Sequence, residues 1–496
     1  MNGQEKSDSS IVAVKSANNP VRAGAESMER RGEAEGNTGG LRTHRTQCRA
    51  RVSQRLDRVR KAARHKKKER FTALLHHLDI DLLLTAFFWL KRNAAAGIDG
   101  VTWADYEHDL DANLVDLHER IHGNAYRAQP SRRQYIPKAD GRQRPLGIAA
   151  LEDKIVQRAL VEVLNAVYEN DFAGFSYGFR PGRSQHDALD ALAVGITRTK
   201  VNWILDADIS RFFDTVSHAW LIRFLEHRIG DRRVLRLIGK WLKVGFMEDG
   251  VAAPAQEGTP QGSVVSPLMA NIYLHYVFDL WATQWRGRHA RGDMILVRYA
   301  DDIVVGFEHA EDATRFQAAM HERLERFSLS LHPEKTRLIE FGRFAAVDRK
   351  ARGAGKPDTF DFLGFTHICG RARSGAFQLK RQTRRDRMRA KLGEIKVELR
   401  RRMHLSIPQQ GQWLGRVVRG FFAYHSVPTN SKRMDAFRHH VVNLWRRTLR
   451  WRSQKDRTRW DRIKRIADAW LPPVRVLHPW PGDRFAAKHP RWEPGA

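Results

Sequence analysis

The chain has 496 residues, 42% of them hydrophobic, enough for two to four domains with substantial cores. Lysine and arginine number 87 against 56 acidic residues, a formal net charge of +31 with a pI near 10.6, so the natural partner is a polyanion, nucleic acid first. The two cysteines, Cys48 and Cys369, exclude a disulfide framework and a cysteine-rich zinc site. The longest apolar stretch, Leu82 to Leu90, is too short to span a bilayer, and the first residues lack the apolar core of a secretion signal. A reducing interior compartment and no membrane partner fit that composition. Fourteen tryptophans add flat surfaces on which bases can stack.

Residues 1 to about 45 are rich in Gly, Asn, Ser and charge, a composition that cannot bury enough surface to fold alone. A dense basic run follows, in which Arg58, Arg60, Arg64, Lys66 and Lys67 are candidate phosphate contacts; the competing reading is a solvated helix face. Phe71 to Arg92 reads as an amphipathic helix that Gly97-Ile-Asp-Gly100 ends. Tyr135 to Ile148 reads as two short strands around an Asp140-Gly141 turn, bringing Lys138, Arg142 and Arg144 close enough to grip a phosphate chain. Residues 151–170 read as a helix. Ser176 to Ser184 is a turn-rich basic loop that offers Arg180 and Arg183.

Trp203 to Asp208 reads as a short strand ending on acid, followed by the pair Phe212-Phe213. Asp206 and Asp208 share a strand face, and periodicity does not choose between them. Gly258 to Leu268 is a loop whose Pro260-Gln261-Gly262 corner exposes backbone and one amide, and a helix resumes at Met269. Met294 to Phe307 reads as a hairpin of two apolar runs about Tyr299-Ala300-Asp301-Asp302. A tight hairpin turn favours Asn-Gly or Asp-Gly, whereas this one carries Ala300 and two adjacent carboxylates. Local rules broken inside an otherwise consistent strand pair mark a functional site, and hard oxygen ligands suit Mg²⁺. An isolated Asp-Asp turn is more often a solvated acidic corner.

A helix is expected over 310–327, then Leu331 to Arg337 with Lys335, and a short strand pair over 360–365. Arg371 to Met403 holds thirteen Lys or Arg against three acids on a helical pattern. Trp413 to Trp470 interleaves aromatic and basic residues, the pattern that suits RNA whose backbone and bases must both be held. Candidate RNA contacts in these stretches are Arg384, Arg385, Trp445, Arg446, Arg450, Trp451 and Arg452. The final segment from Pro472 reads as an extended wrap.

With these blocks in this order the chain resembles the group II intron-encoded reverse transcriptase/maturase family of bacteria, from about residue 55 onward. The likeness is carried by Gly97-Ile-Asp-Gly100, Arg144-Pro-Leu-Gly147, Ser176 to Arg183, Asp208 with Phe212-Phe213, Thr259-Pro-Gln-Gly262, Tyr299-Ala-Asp-Asp302, Glu334-Lys335-Thr336 and Phe362-Leu-Gly364. The resemblance implies an α/β (α+β) right-hand polymerase with fingers, a palm bearing a small antiparallel sheet, and a helical thumb/maturase domain. The corresponding boundaries are a basic, largely disordered extension over 1–55, fingers over 56–200, palm over 201–370, thumb/maturase over 371–475 and a tail over 476–496 without an endonuclease domain. It implies RNA-directed DNA polymerisation, with Asp208, Asp301 and Asp302 as carboxylates for two Mg²⁺ ions and dNTPs as substrates. By the same resemblance Lys138 and Arg144 hold the triphosphate, and Phe213 gates against a ribose 2′-hydroxyl. Gln261, Gly262 and Tyr299 line the nucleotide site, and Lys335 protonates the leaving pyrophosphate. The implied partners are the parent group II intron RNA as a ribonucleoprotein, an RNA template and a DNA primer or target, in the bacterial cytoplasm near the nucleoid. Two other readings remain at this stage: a splicing-only maturase, and a retron or other prokaryotic reverse transcriptase.

Overall fold

The computed structural model describes residues 39–137, 143–248, 251–253, 255–259, 262–452 and 459–489. Helix α1 (Gly39–His65) opens the described chain. Residues 39–55, expected to belong to a disordered extension, are therefore helical. The reason is a stripe at helical spacing, Cys48, Val52, Leu56 and Val59, all buried in the first core. Arg55 forks onto Asp79, and Arg51 reaches Asp81 at 3.1 Å. The helix expected from Phe71 begins only at Ile80, because Asp79 is its N-cap and accepts from the Leu82 amide at 3.0 Å.

Strands β1 (Ser131–Pro137) and β2 (Gln143–Ile148) pair antiparallel as expected; the Asp140-Gly141 turn lies outside the described residues. Helix α2 (Leu151–Tyr168) and helix α3 (Gln185–Arg198) precede β3 (Trp203–Asp208). Short strands β4 (Phe246–Glu248) and β5 (Val251–Ala253) join β1 and β2 in a four-stranded sheet of order β2-β1-β4-β5. Helix α4 (Ser266–Leu274) runs through one π-helical turn, His275–Asp279, into α5 (Leu280–His289). β6 (Met294–Tyr299), β7 (Asp302–Phe307) and β8 (Arg337–Glu340) complete the central antiparallel sheet, of order β6-β7-β3-β8.

That central sheet is a wall between two cores, and the alternation of its side chains builds both. Leu205, Ala207, Met294, Leu296, Ile303, Val305 and Phe307 enter the first core. Ile204, Ile295, Val297, Tyr299 and Val304 enter the second. Strands buried on both faces read as continuous apolar runs, which is how β6 and β7 appear in the sequence.

A three-stranded sheet follows, β9 (Phe360–Phe362), β10 (Phe365–Arg371) and β11 (Phe377–Thr383). The basic stretch expected to be helical from Arg371 thus begins as strand; Leu379, Arg381 and Thr383 alternate inward on β11. Helices α6 (Arg385–Arg401), α7 (Ile407–His425), α8 (Ser431–Arg450) and α9 (Trp460–Trp470) form a bundle with a third, separate core. The last segment is more than an extended wrap. Its helix α10 (Pro481–Lys488) docks on α3, with Phe485 buried, Arg484 bonded to Asp190, and Lys488 at 2.6 Å from Asp187. No helix among the described residues is long and apolar enough to cross a membrane.

Trp445 is fully buried in the third core and donates from Nε1 to Gln410 Oε1 at 2.8 Å. This corrects its assignment as an RNA contact: an indole enclosed on all sides offers no face to a base. Trp445→Ala should cost about 3–5 kcal/mol in denaturant unfolding. The milder Trp445→Phe should lower the melting midpoint while RNA affinity of the folded protein stays within about twofold of the parent.

Candidate active site

Three carboxylates meet at one end of the central sheet. Asp208 ends β3, and its cross-strand partner is Asp302, the first residue of β7. Directly opposed residues on neighbouring strands hold their Cβ atoms about 4.5–5.5 Å apart. Asp301 lies between, in the two-residue turn that closes Tyr299 onto Asp302. Ala300 takes the left-handed conformation there (φ 57°), the role that Asn or Gly would ordinarily fill. Asp206 shares the β3 face but sits two pairs inward, opposite Val304, and is engaged by Arg337 at 3.5 Å. Desolvation, partly offset by Arg337, pushes its carboxyl up to about 6.

The Asp302 carboxylate is open to solvent on its outer side, yet desolvation by the surrounding tip is the first cause that pushes it up to about 7. The charges of Asp301, Asp208 and Asp206 add to the shift, and Lys335 opposes it. Lys335 Nζ bonds Asp208 Oδ2. The segment carrying it is tied to the strand end, with the His332 amide donating to Asp208 O at 2.8 Å and Ser210 N to Ser330 O at 2.8 Å. Among the described residues no group of three Asp, Glu, His or Cys side chains is arranged so that it could hold a metal ion.

Two further motifs converge beside this tip. Phe212 enters the first core and leaves Phe213 half-buried; the Phe213 carbonyl accepts from Thr259 N at 2.7 Å, and Val216 O from Gly258 N at 2.8 Å. Gly258 and Thr259 are thereby fixed against the residues after Asp208. Gly262 has φ 103°, and a Cβ there would lie 2.7 Å from Gly147 O, so Gly262 rests on β2. Gln157 on α2 accepts from Ser263 Oγ at 2.7 Å and from Val264 N at 3.1 Å.

A family model described as reverse transcriptase (RNA-dependent DNA polymerase) matches residues 136–367, the stretch that contains all of these elements. Residues 136–367 are a reverse transcriptase domain. Its relatives point to the group II intron-encoded kind. The chain is 34% identical over 222 residues to group II intron-encoded protein LtrA of Lactococcus lactis subsp. cremoris, covering 44% of this chain and 37% of that protein. It is 38% identical over 202 residues to a 91 kDa protein in a cob intron of Schizosaccharomyces pombe (40% of this chain, 24% of that protein). It is 37% identical over 239 residues to protein YkfC of Escherichia coli (42% of this chain, 62% of that protein). The chain thus spans less than two thirds of each of these relatives.

Within this reverse transcriptase domain, Lys138 and Gln261 lie outside the described residues, and Arg144 is placed by its backbone alone, opposite Ile136. Tyr299 is buried, 6.4 Å from Phe179, and bonded to Gln185. Arg180 is a correction. It is buried, bonded to Glu169 at 2.6 Å and to the carbonyls of Ala173 and Ser176 at 2.7 Å each, so it builds the 176–183 loop and presents nothing to RNA. Arg183 is also turned inward, donating to Gly174 O at 2.5 Å and lying over Tyr177; desolvation pushes it down to about 10.

Beyond the domain, Arg58, Arg64 and Lys67 are exposed on or just after α1, while Arg60 pairs with Asp57 and Lys66 with Glu69. On the bundle side Arg384 pairs with Asp386 at 2.8 Å, and Arg385 and Arg450 are exposed. Trp451 is 53% exposed with Arg400 stacked 5.0 Å from its ring, Arg446 covers Trp460 at 4.5 Å, and Arg452 caps Leu405 O.

The residues that sequence reasoning passed over are Arg298, Asp279, Asn271 and Ser176, which lie directly beneath the turn. Their signal was one charge, Arg298, inside an apolar strand.

Because the Asp302 carboxyl is raised in the folded chain, the folded state holds its proton more tightly than the unfolded one. Its contribution to stability therefore falls as pH rises from the ordinary carboxylate range of about 4 to about 7. Asp302→Asn should melt above the parent at about pH 8 in chelator, with the gap closing toward about pH 4, where both forms are neutral. Paired thermal melts across that range check it.

Proposed function

We propose that this chain is an RNA-directed DNA polymerase of a mobile group II intron, extending a DNA primer along an RNA template and also binding the parent intron RNA. The observation that carries the reading is the cross-strand pair Asp208 and Asp302 with Asp301 beside them, at the rim of a reverse transcriptase domain. The donors fit Mg²⁺ in type, since Asp208, Asp301 and Asp302 bring hard carboxylate oxygens to one end of the sheet, and the Asp302 carboxyl is raised by desolvation first and by the neighbouring carboxylates second. Mg²⁺ is usually held by one or two carboxylates together with substrate phosphates and water, so a closed protein cage is not required. Asp208, Asp301 and Asp302 would hold two such ions, which when bound supply charge for activating the primer 3′-hydroxyl and for the leaving pyrophosphate.

The chain's own groups orient and gate the reaction. Lys335, whose Nζ bonds Asp208, would give a proton to the leaving pyrophosphate. Phe213, whose carbonyl accepts from the Thr259 amide, would supply the bulk that rejects a ribose 2′-hydroxyl. Gly262 lies against β2, and Gly262, Gln261, Arg144, Lys138 and Tyr299 are the residues we assign to the nucleotide. Residues 56–200 serve as fingers, 201–370 as palm and 371–475 as a thumb/maturase unit. The intron RNA would lie along the exposed Arg385, Arg450 and Trp451 and along α1.

Primer extension on an RNA template with dNTPs and Mg²⁺ tests the assignment. The double variant Asp301→Asn/Asp302→Asn should lose about a thousandfold or more in rate while binding RNA like the parent. Extension that survives within about tenfold would remove the carboxylates from the mechanism. No extension by either chain, with tight RNA binding by both, would leave a splicing-only maturase. The charge adds a second expectation: RNA affinity should fall with a log–log salt slope of about −5 or steeper, from neutralisation of several phosphates. Filter binding across salt concentrations measures it, and a flat response would overturn the electrostatic part of the reading.

A further inference from the structure

β6 reads Met294-Ile-Leu-Val-Arg298-Tyr299, and its one charged side chain is fully buried. All five N–H directions of the Arg298 guanidinium are used. Nε and one terminal nitrogen fork onto Asp279, at 2.7 and 2.6 Å, and that nitrogen also donates to Ser176 Oγ at 2.7 Å. The other terminal nitrogen donates to Asn271 Oδ1 at 3.1 Å and to the Ala300 carbonyl at 2.9 Å. A buried pair needed only for stability would be satisfied by the fork alone, and a packed apolar pair often serves as well. The bond to Ala300 O does something else. It fixes the peptide between Ala300 and Asp301, and with it the direction in which the chain leaves the left-handed residue.

The same group of residues closes the turn from beneath. Asn271 Nδ2 donates to Gly178 O at 2.7 Å. A Cβ on Gly178 would lie 2.3 Å from the Ala300 nitrogen, so the 176–178 segment is pressed against the turn with no room for a side chain. The Tyr177 amide donates to Arg298 O at 2.8 Å, and the Arg298 amide to Phe175 O at 2.9 Å, pinning the backbone on that side.

We propose that Arg298 is a positioning residue. With Asp279, Asn271 and Ser176 it holds the Ala300–Asp301 peptide so that Asp301 and Asp302 stay beside Asp208, and it thereby sets divalent-cation affinity and turnover rather than nucleotide or RNA binding. This role rests on the polymerase reading above. Arg298→Lys keeps a positive charge opposite Asp279 but replaces a rigid five-donor fork with three donors on a flexible stem.

Three measurements on the full chain test it: amide exchange of the 294–307 peptide by mass spectrometry, Mn²⁺ binding by electron paramagnetic resonance, and single-nucleotide incorporation on a primed RNA template. In Arg298→Lys, exchange at the turn should quicken by about tenfold or more. Mn²⁺ affinity should weaken about 10- to 100-fold. Turnover should fall about 100-fold while KM for dNTP and RNA affinity hold within about twofold. A folded Arg298→Lys with unchanged exchange and Mn²⁺ affinity overturns the proposal, as does a loss confined to KM. Should the lysine variant not fold, Ser176→Ala, which removes a single bond, is read the same way: faster exchange at the turn supports the proposal and unchanged exchange overturns it. A parent chain that neither binds Mn²⁺ nor extends a primer removes the polymerase reading, and the exchange comparison alone then decides whether Arg298 holds the turn.

Discussion

Burying Arg298 against Asp279 is the constraint that the surrounding structure answers to. Two charges withdrawn from water are tolerated only with close geometry and with every remaining donor satisfied, and losing either partner would cost about 3–5 kcal/mol. Meeting that condition draws four segments together: β6, the 176–178 loop, the start of α4–α5 at Asn271, and the π turn at His275–Asp279. An α-helix advances about 100° per residue, so the extra residue of a π turn changes which side chain faces the sheet. Here the turn ends on Asp279. The helix departs from regularity at the place where its carboxylate must meet the guanidinium.

The carboxylate tip follows from the sheet that this pair anchors. With one core on each face, β3, β6 and β7 cannot slip by one residue without exchanging the two apolar sets, so register is strongly specified. The register puts Asp208 opposite Asp302 where both cores end. Carboxylates gathered there repel one another, which adds to the desolvation that raises Asp302 to about 7. Lys335 on Asp208 and Arg337 on Asp206 offset part of the repulsion. What remains is a negative, solvent-open rim on a rigid frame, the condition under which a cation or a basic substrate clamp is attracted without the protein having to rearrange.

The hairpin, its Asp-Asp turn and the strand ending at Asp208 were legible because they are local patterns: apolar runs of strand length around a turn that breaks turn chemistry. So was the pairing of β1 with β2. Contacts that depend on which face of a segment is covered were not legible. Arg180 and Trp445 lie in basic or aromatic-basic stretches that read as RNA surface, yet each faces inward, one onto Glu169 and two carbonyls, the other onto Gln410. Composition reports what a segment contains; burial is decided by the partner element. The π turn has no signature in the 269–280 helix pattern, and the partner of its last residue, Arg298, lies 19 residues further along the chain. The helix at 39–65 was obscured by its charge, although Cys48, Val52, Leu56 and Val59 already carried the helical spacing.

The helical bundle over α6–α9 keeps its own core, and its attachment to the preceding sheets leans heavily on polar contacts of fixed geometry. Asn430 bonds Thr383 at the end of β11, and Tyr424 OH donates to Leu363 O at 2.7 Å in the left-handed turn between β9 and β10. Arg381 and Arg484 share the buried Asp190 carboxylate, one from β11 and one from the returning C-terminal helix. Beside them His186 and His367 are held uncharged, pushed down to about 3 by desolvation first and by neighbouring cations, so Asp190 is the anion on which these two arginines converge. Apolar contact alone would let the bundle slide, since hydrophobic burial has no direction. Hydrogen-bonded arginines and caps fix an angle. The joint between bundle and sheet is of the second kind.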